Sequence, residues 1–304
     1  MSEAVAASLG VFRHHLPPGL LSIVVLSLVS AAAYGLAAVL QHHEATKKEE
    51  TAGGNLIAQL LREPVWLAGT LLDGVGYLFQ FLALRRGSLA LVEPLLVLSL
   101  VFALPVAARL EHRRVSWSDV GAAVVTVGGL TIFQEVARPG IGHPHASATA
   151  WIVLSAVIAV GCLTMALLAR RGSARQAALL YAAGSGTAFG YVAAVTERTG
   201  HSLDHGAIHV LTTWAPYVLV LAAVVALVLT QQAFNAGLLR LSLPTLTVAQ
   251  PIVALAIGIG FFGEKVRSQA PAVVAEVAGF VVMTIGVYAL TKSPVLTAAH
   301  KPET

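Results

Sequence analysis

The segment YLFQFLALRRGSLALVEPLL (77–96) is the most informative part of the sequence, because QAFNAGLLRLSLPTLTVAQPIV (232–253) repeats its pattern in the second half of the chain. In both copies an apolar segment is followed by a turn containing arginine. A second apolar segment then carries an acid or amide directly before proline. The matched polar pairs are Gln80 with Asn235 and Glu93 with Gln250. Secondary transporters are commonly built from such internal repeats, so the duplication predicts transport.

The composition is typical of a membrane protein. Hydrophobic residues make up 57% of the 304 residues, charged residues only 11%, and the mean hydropathy is +0.79. A soluble domain carries about 25% charged residues. The apolar runs reach the ~20 residues that a helix needs to cross the ~30 Å hydrocarbon core of a bilayer. These properties predict an all-α, polytopic membrane protein.

The hydropathy pattern predicts nine membrane-spanning helices. They lie at 20–40, 64–84, 88–110, 117–135, 149–169, 175–196, 214–239, 243–263 and 271–291. The four tryptophans agree with these limits, because each lies at the start of a span, where an amphipathic ring suits the headgroup region. They are Trp66, Trp117, Trp151 and Trp214.

The distribution of Lys and Arg predicts the orientation. Twelve of these residues fall on one side of the nine spans and seven on the other. Cytoplasmic loops retain positive charge, so we expect the N-terminus outside and the C-terminus inside the cell (inner) membrane. The two copies begin five helices apart, an odd number, and the repeat is therefore predicted to be inverted.

The spans divide the chain into two halves of four and five helices. The predicted units are an extracytoplasmic N-terminal segment at 1–19, a first half at 20–138, a second half at 148–292 and a cytoplasmic tail at 293–304. Span 1 resembles span 5 more closely than span 6, a match that strict inversion does not explain.

Residues 41–63 are too charged to cross the membrane. We predict a cytoplasmic linker that ends in an amphipathic stretch, Asn55–Leu61. The alternative is a short re-entrant element, which would require its charged side chains to enter the lipid. Span 1 itself is longer than the 7–15 residues typical of a signal-peptide core, so it is predicted to be retained.

Span 2 carries three polar residues on one helical face. Asp73, Tyr77 and Gln80 are spaced by four and three residues, which aligns them along the same side. A carboxylate at the bilayer centre costs about 2.5–3.5 kcal/mol on insertion scales. Asp73 is therefore expected either to serve a substrate or proton site or to be held in a buried interhelical hydrogen bond.

Glu93 and Gln250 each precede a proline inside a span. Proline removes a backbone donor and frees a carbonyl one turn back, which suits a cation or polar ligand at the repeat interface. The alternative is a kink needed only for packing. In span 7, Gln231, Gln232 and Asn235 add three amides within two turns, more than interhelical contacts usually require.

The predicted substrate-binding residues come from both copies of the repeat. They are Asp73, Tyr77, Gln80, Glu93, Gln231, Asn235 and Gln250. Tyr34 and Tyr191 are weaker candidates. Gly186 and Gly190 form a GxxxG pattern, which favours close helix packing.

Other motifs point away from a metal centre or an enzyme. His201, His205 and His209 are spaced by four in a predicted outer loop, but Gly206 weakens a helix there, and solvated histidines are favoured over a metal site. The sequence contains no GxxxxGK[ST], HExxH or GxSxG motif. We expect no enzymatic activity, no cofactor and no nucleic-acid partner.

The segments GYLFQFLALRRGSLALVEPLLVL (76–98) and QQAFNAGLLRLSLPTLTVAQPIVAL (231–255) resemble the drug/metabolite transporter superfamily, EamA-like branch. The sequence FFGEKV after span 8 resembles that family's penultimate-helix ending, with Glu264 at its acid position and Glu111 at the matching place in the first half. The short first half and the segment around Pro251 are similar to NIPA-type magnesium transporters. Members of the superfamily move amino acids, nucleotide sugars, cations and toxic compounds, so the resemblance implies transport without choosing the substrate.

The leading hypothesis is a secondary transporter of a small polar metabolite or cation, working by alternating access between two inverted repeats. The first alternative is a Mg²⁺ transporter of the NIPA type, since Mg²⁺ prefers oxygen ligands and keeps part of its water shell. The second is a non-transporting membrane subunit or sensor. The expected partners are the solute and the lipid bilayer, with proton or cation coupling and a homodimer left open.

Overall fold

The computed structural model describes residues 19–49, 63–110, 112, 114–137, 147–236, 239–264 and 270–293. All regular secondary structure in this part of the chain is helical. Eight helical segments are long and apolar enough to cross a membrane, one of them the broken segment Leu89–Leu110, and a shorter apolar helix covers Pro244–Gly260. The prediction of an all-α, polytopic membrane protein is confirmed.

The helices are numbered here in chain order. They are α1 (Leu20–Glu49), α2 (Pro64–Leu84), α3 (Leu89–Leu96), α4 (Ser99–Leu110), α5 (Trp117–Ala137), α6 (Ala148–Arg171), α7 (Ala174–Ser202), α8 (Ala207–Thr212), α9 (Ala215–Asn235), α10 (Leu239–Gly260) and α11 (Ala270–Leu290). A 3₁₀ turn at Leu203–His205 links α7 to α8.

The first helix is longer than its apolar core. Its hydrophobic part covers Leu20–Gln41, but α1 continues to Glu49, inside the segment predicted as a linker. A helix satisfies its own backbone hydrogen bonds whether it lies in lipid or in water, so hydropathy does not mark its end. The predicted amphipathic stretch Asn55–Leu61 lies outside the described residues.

The third predicted span is broken into α3 and α4. Pro94 lies inside α3, and the chain then turns through Val97 and Leu98 with tighter bonds between residues three apart. Val97 N–H donates to the Pro94 carbonyl at 3.3 Å, and Leu98 N–H to the Leu95 carbonyl at 3.1 Å. Proline disturbs the helix that it enters, which accounts for a break close to this residue.

Helix pairing is similar in the two halves. In the first half α1 packs along α2 and α4, and in the second half α7 packs along α9 and α10. The last helices of the halves, α5 and α11, pack along one another. By this pairing α1 is the counterpart of α7, and α6 is the additional helix of the second half. The sequence of span 1 (α1) is more similar to that of span 5 (α6), but these two helices do not hold equivalent positions in the two halves.

Glycines permit the closest helix contacts. A Cβ at Gly186 would lie 2.5 Å from the Ala249 Cβ, and one at Gly190 would lie 2.9 Å from the Gln250 carbonyl oxygen. Both glycines therefore allow α7 to touch the backbone of α10, as the GxxxG pattern predicts. Glycine also allows a close contact between α5 and α11, because a Cβ at Gly129 would clash with the backbone of Met283.

The short helix α3 lies in the middle of the bundle. All eight of its residues are buried, and it contacts α1, α2, α5, α7 and α10. By contrast, the apolar side chains of α6 and α9 are largely exposed, as expected for surfaces that face lipid. A polar residue on α3 is therefore enclosed by both halves of the protein.

Candidate functional site

Glu93 lies at the centre of the bundle and contacts both halves. Its side chain is 1% exposed. The Gln80 amide, from α2, donates to Glu93 Oε1 at 2.8 Å, and the Gln250 amide, from α10, donates to Oε2 at 3.0 Å. A single carboxylate thus holds one amide from each copy of the repeat.

Tyr34 of α1 extends this contact by one residue. Its hydroxyl donates to the Gln80 Oε1 atom at 2.7 Å, which fixes the amide with its NH₂ group toward Glu93. The side chains of Tyr34, Gln80, Glu93 and Gln250 form a continuous hydrogen-bonded chain, here called the central network. Sequence reasoning ranked Tyr34 only as a weak candidate, because nothing local distinguishes it from a packing tyrosine.

Asp73 occupies a second polar position on α2. It is half-buried, and its Oδ2 accepts a hydrogen bond from the Gln41 amide of α1 at 2.6 Å. Asp73 lies seven residues from Gln80, or about 10 Å along the helix axis. Gln41 was not among the predicted site residues, because it lies just beyond the predicted end of span 1. Its position next to the end of an apolar span could have identified it as a candidate.

Tyr77 lies between these positions on the same face of α2. Its hydroxyl is 3.1 Å from the Thr196 hydroxyl of α7. The predicted alignment of Asp73, Tyr77 and Gln80 on one face of α2 is therefore turned toward other helices of the bundle. Tyr77 provides a further contact between the two halves of the protein.

The amides of α9 are placed differently. Gln231 and Gln232 are exposed, and Gln231 continues a surface formed by Leu227 and Val228. This places Gln231 on the outside of the bundle, whereas Glu93 is enclosed. Asn235 is the last residue of α9, and its side chain is outside the described part. A binding role for Gln231 and Asn235 stays a prediction.

A second group of buried polar side chains lies at the end of the bundle predicted to face outward. Glu264, just after α10, accepts hydrogen bonds from the backbone N–H groups of Leu89 at 2.8 Å and Ala90 at 3.0 Å. It thereby caps the helix that carries Glu93. Burial raises the pKa of the Glu264 carboxyl to about 7, although these two hydrogen bonds oppose the rise.

Glu197 of α7 lies close enough to Glu264 for their charges to interact. It is 2% exposed, and its Oε2 atom has no hydrogen-bond partner. The predicted span 6 ended at residue 196, directly before this acid, whereas α7 continues to Ser202, so Glu197 was overlooked. Nearby, Arg85 and Asp204 form an ion pair of 2.6 Å between the two halves.

The predicted outer histidines do not share one helix. His201 lies in the last turn of α7 and His209 in α8, with Gly206 between them at a φ of +103°. Such a backbone conformation favours glycine and interrupts the helix. Among the described residues, no group of three or more His, Cys, Asp or Glu side chains could hold a metal ion. His143, His145 and the His205 side chain lie outside that part.

Comparison with known proteins identifies the family. A family model described as "Magnesium transporter NIPA" matches residues 18–294, nearly the whole chain. The chain belongs to the NIPA family. An uncharacterized protein of Corynebacterium glutamicum is 32% identical to this NIPA protein over 284 residues, which cover 91% of this chain and 97% of the relative. No solved structure matches the chain.

The family assignment confirms the resemblance noted in the sequence and makes this a multi-pass membrane transporter. The family is one of transporters, which are not a class of enzymes. The central network lies between the first and second halves of the bundle, because Glu93 contacts Gln80 in one half and Gln250 in the other. It combines one carboxylate with two amides and a hydroxyl.

Proposed function

We propose that this NIPA protein carries Mg²⁺ across the cell membrane by alternating access, with Glu93 as the charged ligand between its two halves. The observation that carries the proposal is the contact of one buried carboxylate with Gln80 from the first half and Gln250 from the second. The family's name supports the choice of Mg²⁺.

The surroundings of Glu93 favour a cation. An ionised carboxylate is costly inside a membrane, and both of the hydrogen-bond donors to Glu93 are neutral amides. A bound cation would balance this charge directly. Intramembrane acids commonly mark ion pathways for this reason.

The two amides can serve the site with or without a cation. In the structure they present their NH₂ groups to Glu93. Rotation of a glutamine amide by half a turn replaces the NH₂ group with a carbonyl oxygen at nearly the same place. Glu93, Gln80 and Gln250 would then offer oxygen ligands to Mg²⁺, which is bound through one or two carboxylates while retaining several waters.

The division of the proposed ligands between the two halves supports alternating access. Glu93 lies on α3 and Gln250 on α10, so a movement of one half relative to the other changes the ligand set around the ion. Such rocking of related halves about a central site is typical of secondary transporters. The inverted arrangement and the orientation, with the N-terminus outside, enter the proposal from the charge distribution.

The membrane potential can drive uptake without a coupling ion. Moving one elementary charge through 100 mV is worth about 2.3 kcal/mol, so a divalent ion gains about 4.6 kcal/mol. This suffices for accumulation of more than a thousandfold at equilibrium. We therefore expect Mg²⁺ to enter along the electrical gradient.

The test is Mg²⁺ uptake into liposomes that contain the purified full-length protein and an enclosed Mg²⁺-sensitive dye. A potassium diffusion potential, negative inside, supplies the driving force. We expect uptake by the wild type and a loss of at least about tenfold in Glu93→Gln, since a neutral amide cannot balance the ion. Glu135→Gln, an exposed carboxyl on α5, is the matched control. Wild-type uptake by Glu93→Gln would overturn the proposal.

A further inference from the structure

The outer end of the bundle contains buried oxygen atoms that lack a structural partner. Glu197 Oε2 and the Ser88 hydroxyl are both buried and without hydrogen bonds. Ser88 immediately precedes the two residues whose N–H groups bind Glu264, and it is 2% exposed. We name Ser88, Glu197 and Glu264 the outer cluster.

The register of α7 and α10 places Glu197 at this end. Gly186 packs against Ala249 and Gly190 against Val253, so the two helices run in the same direction side by side. Seven residues beyond Gly190, Glu197 reaches the level at which α10 ends and Glu264 follows. At this level a Cβ on Gly258 would collide with the Glu264 carboxyl group, so glycine makes room for that side chain.

Structural roles account for only part of this cluster. Glu264 replaces Ser88 as the cap of α3, which leaves the Ser88 hydroxyl without the bond that an N-cap residue usually makes. The neighbouring guanidinium of Arg85 is paired with Asp204. A buried carboxyl oxygen without a donor destabilises the fold by about as much as a lost hydrogen bond. Such an oxygen calls for an explanation, and a bound ligand would supply one.

We propose that Glu197, Glu264 and the Ser88 hydroxyl form a second divalent-cation site at the outer end of the transport path. Two carboxyl groups and a hydroxyl supply hard oxygen ligands, and a partly hydrated Mg²⁺ completes its octahedron with water. The Glu264 oxygens keep a free lone pair each beside their hydrogen bonds to the backbone.

The outer cluster is adjacent to the central network. Leu89, whose N–H binds Glu264, lies four residues before Glu93 on α3, or about 6 Å along the helix axis. An ion bound at the outer cluster is therefore one helical turn from the next carboxylate. The assignment of the outer cluster to the Mg²⁺ transport path rests on the proposed function. Its ability to bind a divalent cation does not.

The test counts bound ions directly. Mn²⁺, an oxygen-preferring substitute for Mg²⁺, is titrated into the full-length protein in nanodiscs, and free Mn²⁺ is measured by electron paramagnetic resonance. We expect Glu197→Gln to bind one Mn²⁺ fewer than the wild type, whereas Glu135→Gln binds the wild-type number. Ser88→Ala should retain the ion with an affinity lowered about three- to tenfold, since it loses one neutral ligand.

The outcomes separate this site from the central one. Equal Mn²⁺ binding by the wild type and a monodisperse Glu197→Gln protein would overturn the proposal, and would indicate that the carboxyl pair holds a proton instead. Unchanged affinity in Ser88→Ala would also count against it and does not depend on the folding of Glu197→Gln. Wild-type uptake by Glu93→Gln would contradict the proposed function, while the difference of one ion at Glu197 would remain.

Discussion

Glu93 and Asp73 are both acids inside the first half of the bundle, but their surroundings differ. Glu93 is enclosed and accepts amide hydrogen bonds from both halves. Asp73 is half-buried and accepts its hydrogen bond from Gln41, within the first half. In the proposed mechanism, a movement of one half relative to the other changes the contacts of Glu93 and leaves the Asp73–Gln41 contact in place. The proposal therefore gives Glu93 the principal role and Asp73 a secondary one.

The largest expected difference concerns the length of the two acidic side chains. Glu93→Asp withdraws the carboxyl by one methylene group and separates it from at least one amide, and a lost hydrogen bond to a charged group is worth about 1.5–3 kcal/mol. We expect Mg²⁺ uptake to fall at least about tenfold. Asp73→Glu keeps its charge in a less crowded place and should change uptake by less than about twofold. Equal losses in the liposome assay would remove the distinction between the two acids.

The next difference concerns the amide partners. Gln250→Leu removes the only amide that the second half gives to Glu93 among the described residues, with little change in volume. We expect the Mg²⁺ concentration for half-maximal uptake to rise about tenfold, as for one lost charged hydrogen bond. Gln41→Leu, which acts on Asp73, should raise it only about twofold because water can replace the amide. A larger effect of Gln41→Leu would make Asp73 the principal ligand.

The helix contacts beside Gln250 and Gln41 can be compared through the stability of two glycine variants. A Cβ at Gly190 would lie 2.9 Å from the backbone carbonyl oxygen of Gln250, whereas one at Gly69 would lie 2.8 Å from the Gln41 side chain and 3.2 Å from the nearest backbone atom, the Ala37 carbonyl oxygen. Gly190→Ala should destabilise the protein by about 1–3 kcal/mol, because backbone cannot yield as a side chain does. Thermal unfolding in detergent should show a smaller loss for Gly69→Ala. Gly161→Ala on α6 is the control, since a Cβ there meets nothing within 4 Å.

The smallest expected effect concerns the tyrosine hydroxyls. Tyr34→Phe frees the Gln80 amide to rotate, and a neutral hydrogen bond is worth about 0.5–1.5 kcal/mol. We expect uptake to decrease about threefold. Tyr77→Phe removes a bond to Thr196 that touches neither acid and should change uptake by less than about twofold. Identical uptake by Tyr34→Phe and the wild type would show that the orientation of the Gln80 amide does not limit transport.

The two prolines of the repeat show how equal sequence signals can have different structural results. Glu93-Pro94 and Gln250-Pro251 occupy matched positions, yet the helix breaks after Pro94 and continues through Pro251 to Gly260. The α3 segment is short and buried on all sides, whereas α10 is held along its length by α7. Neighbouring helices can therefore restore what proline removes, and the sequence alone does not show where they will.

The residues of the two proposed sites were predicted only in part from the sequence. The repeat indicated Gln80, Glu93 and Gln250, and the structure places these three in contact. It leaves Gln231 exposed on α9, although its amide looked equivalent in the sequence. The buried acid Glu197 went unnoticed because it lies one residue beyond a predicted span.

Composition and sequence pattern were enough to predict the fold class, the approximate positions of the apolar segments and the matched polar pairs. These depend on the length of apolar runs and on the need of each backbone in lipid to satisfy its own hydrogen bonds, which are local properties. The tertiary structure decided which polar side chains meet. That choice depends on how each helix is rotated about its axis and how closely glycines such as Gly190 let it approach its neighbours, and contacts between distant parts of the chain set both.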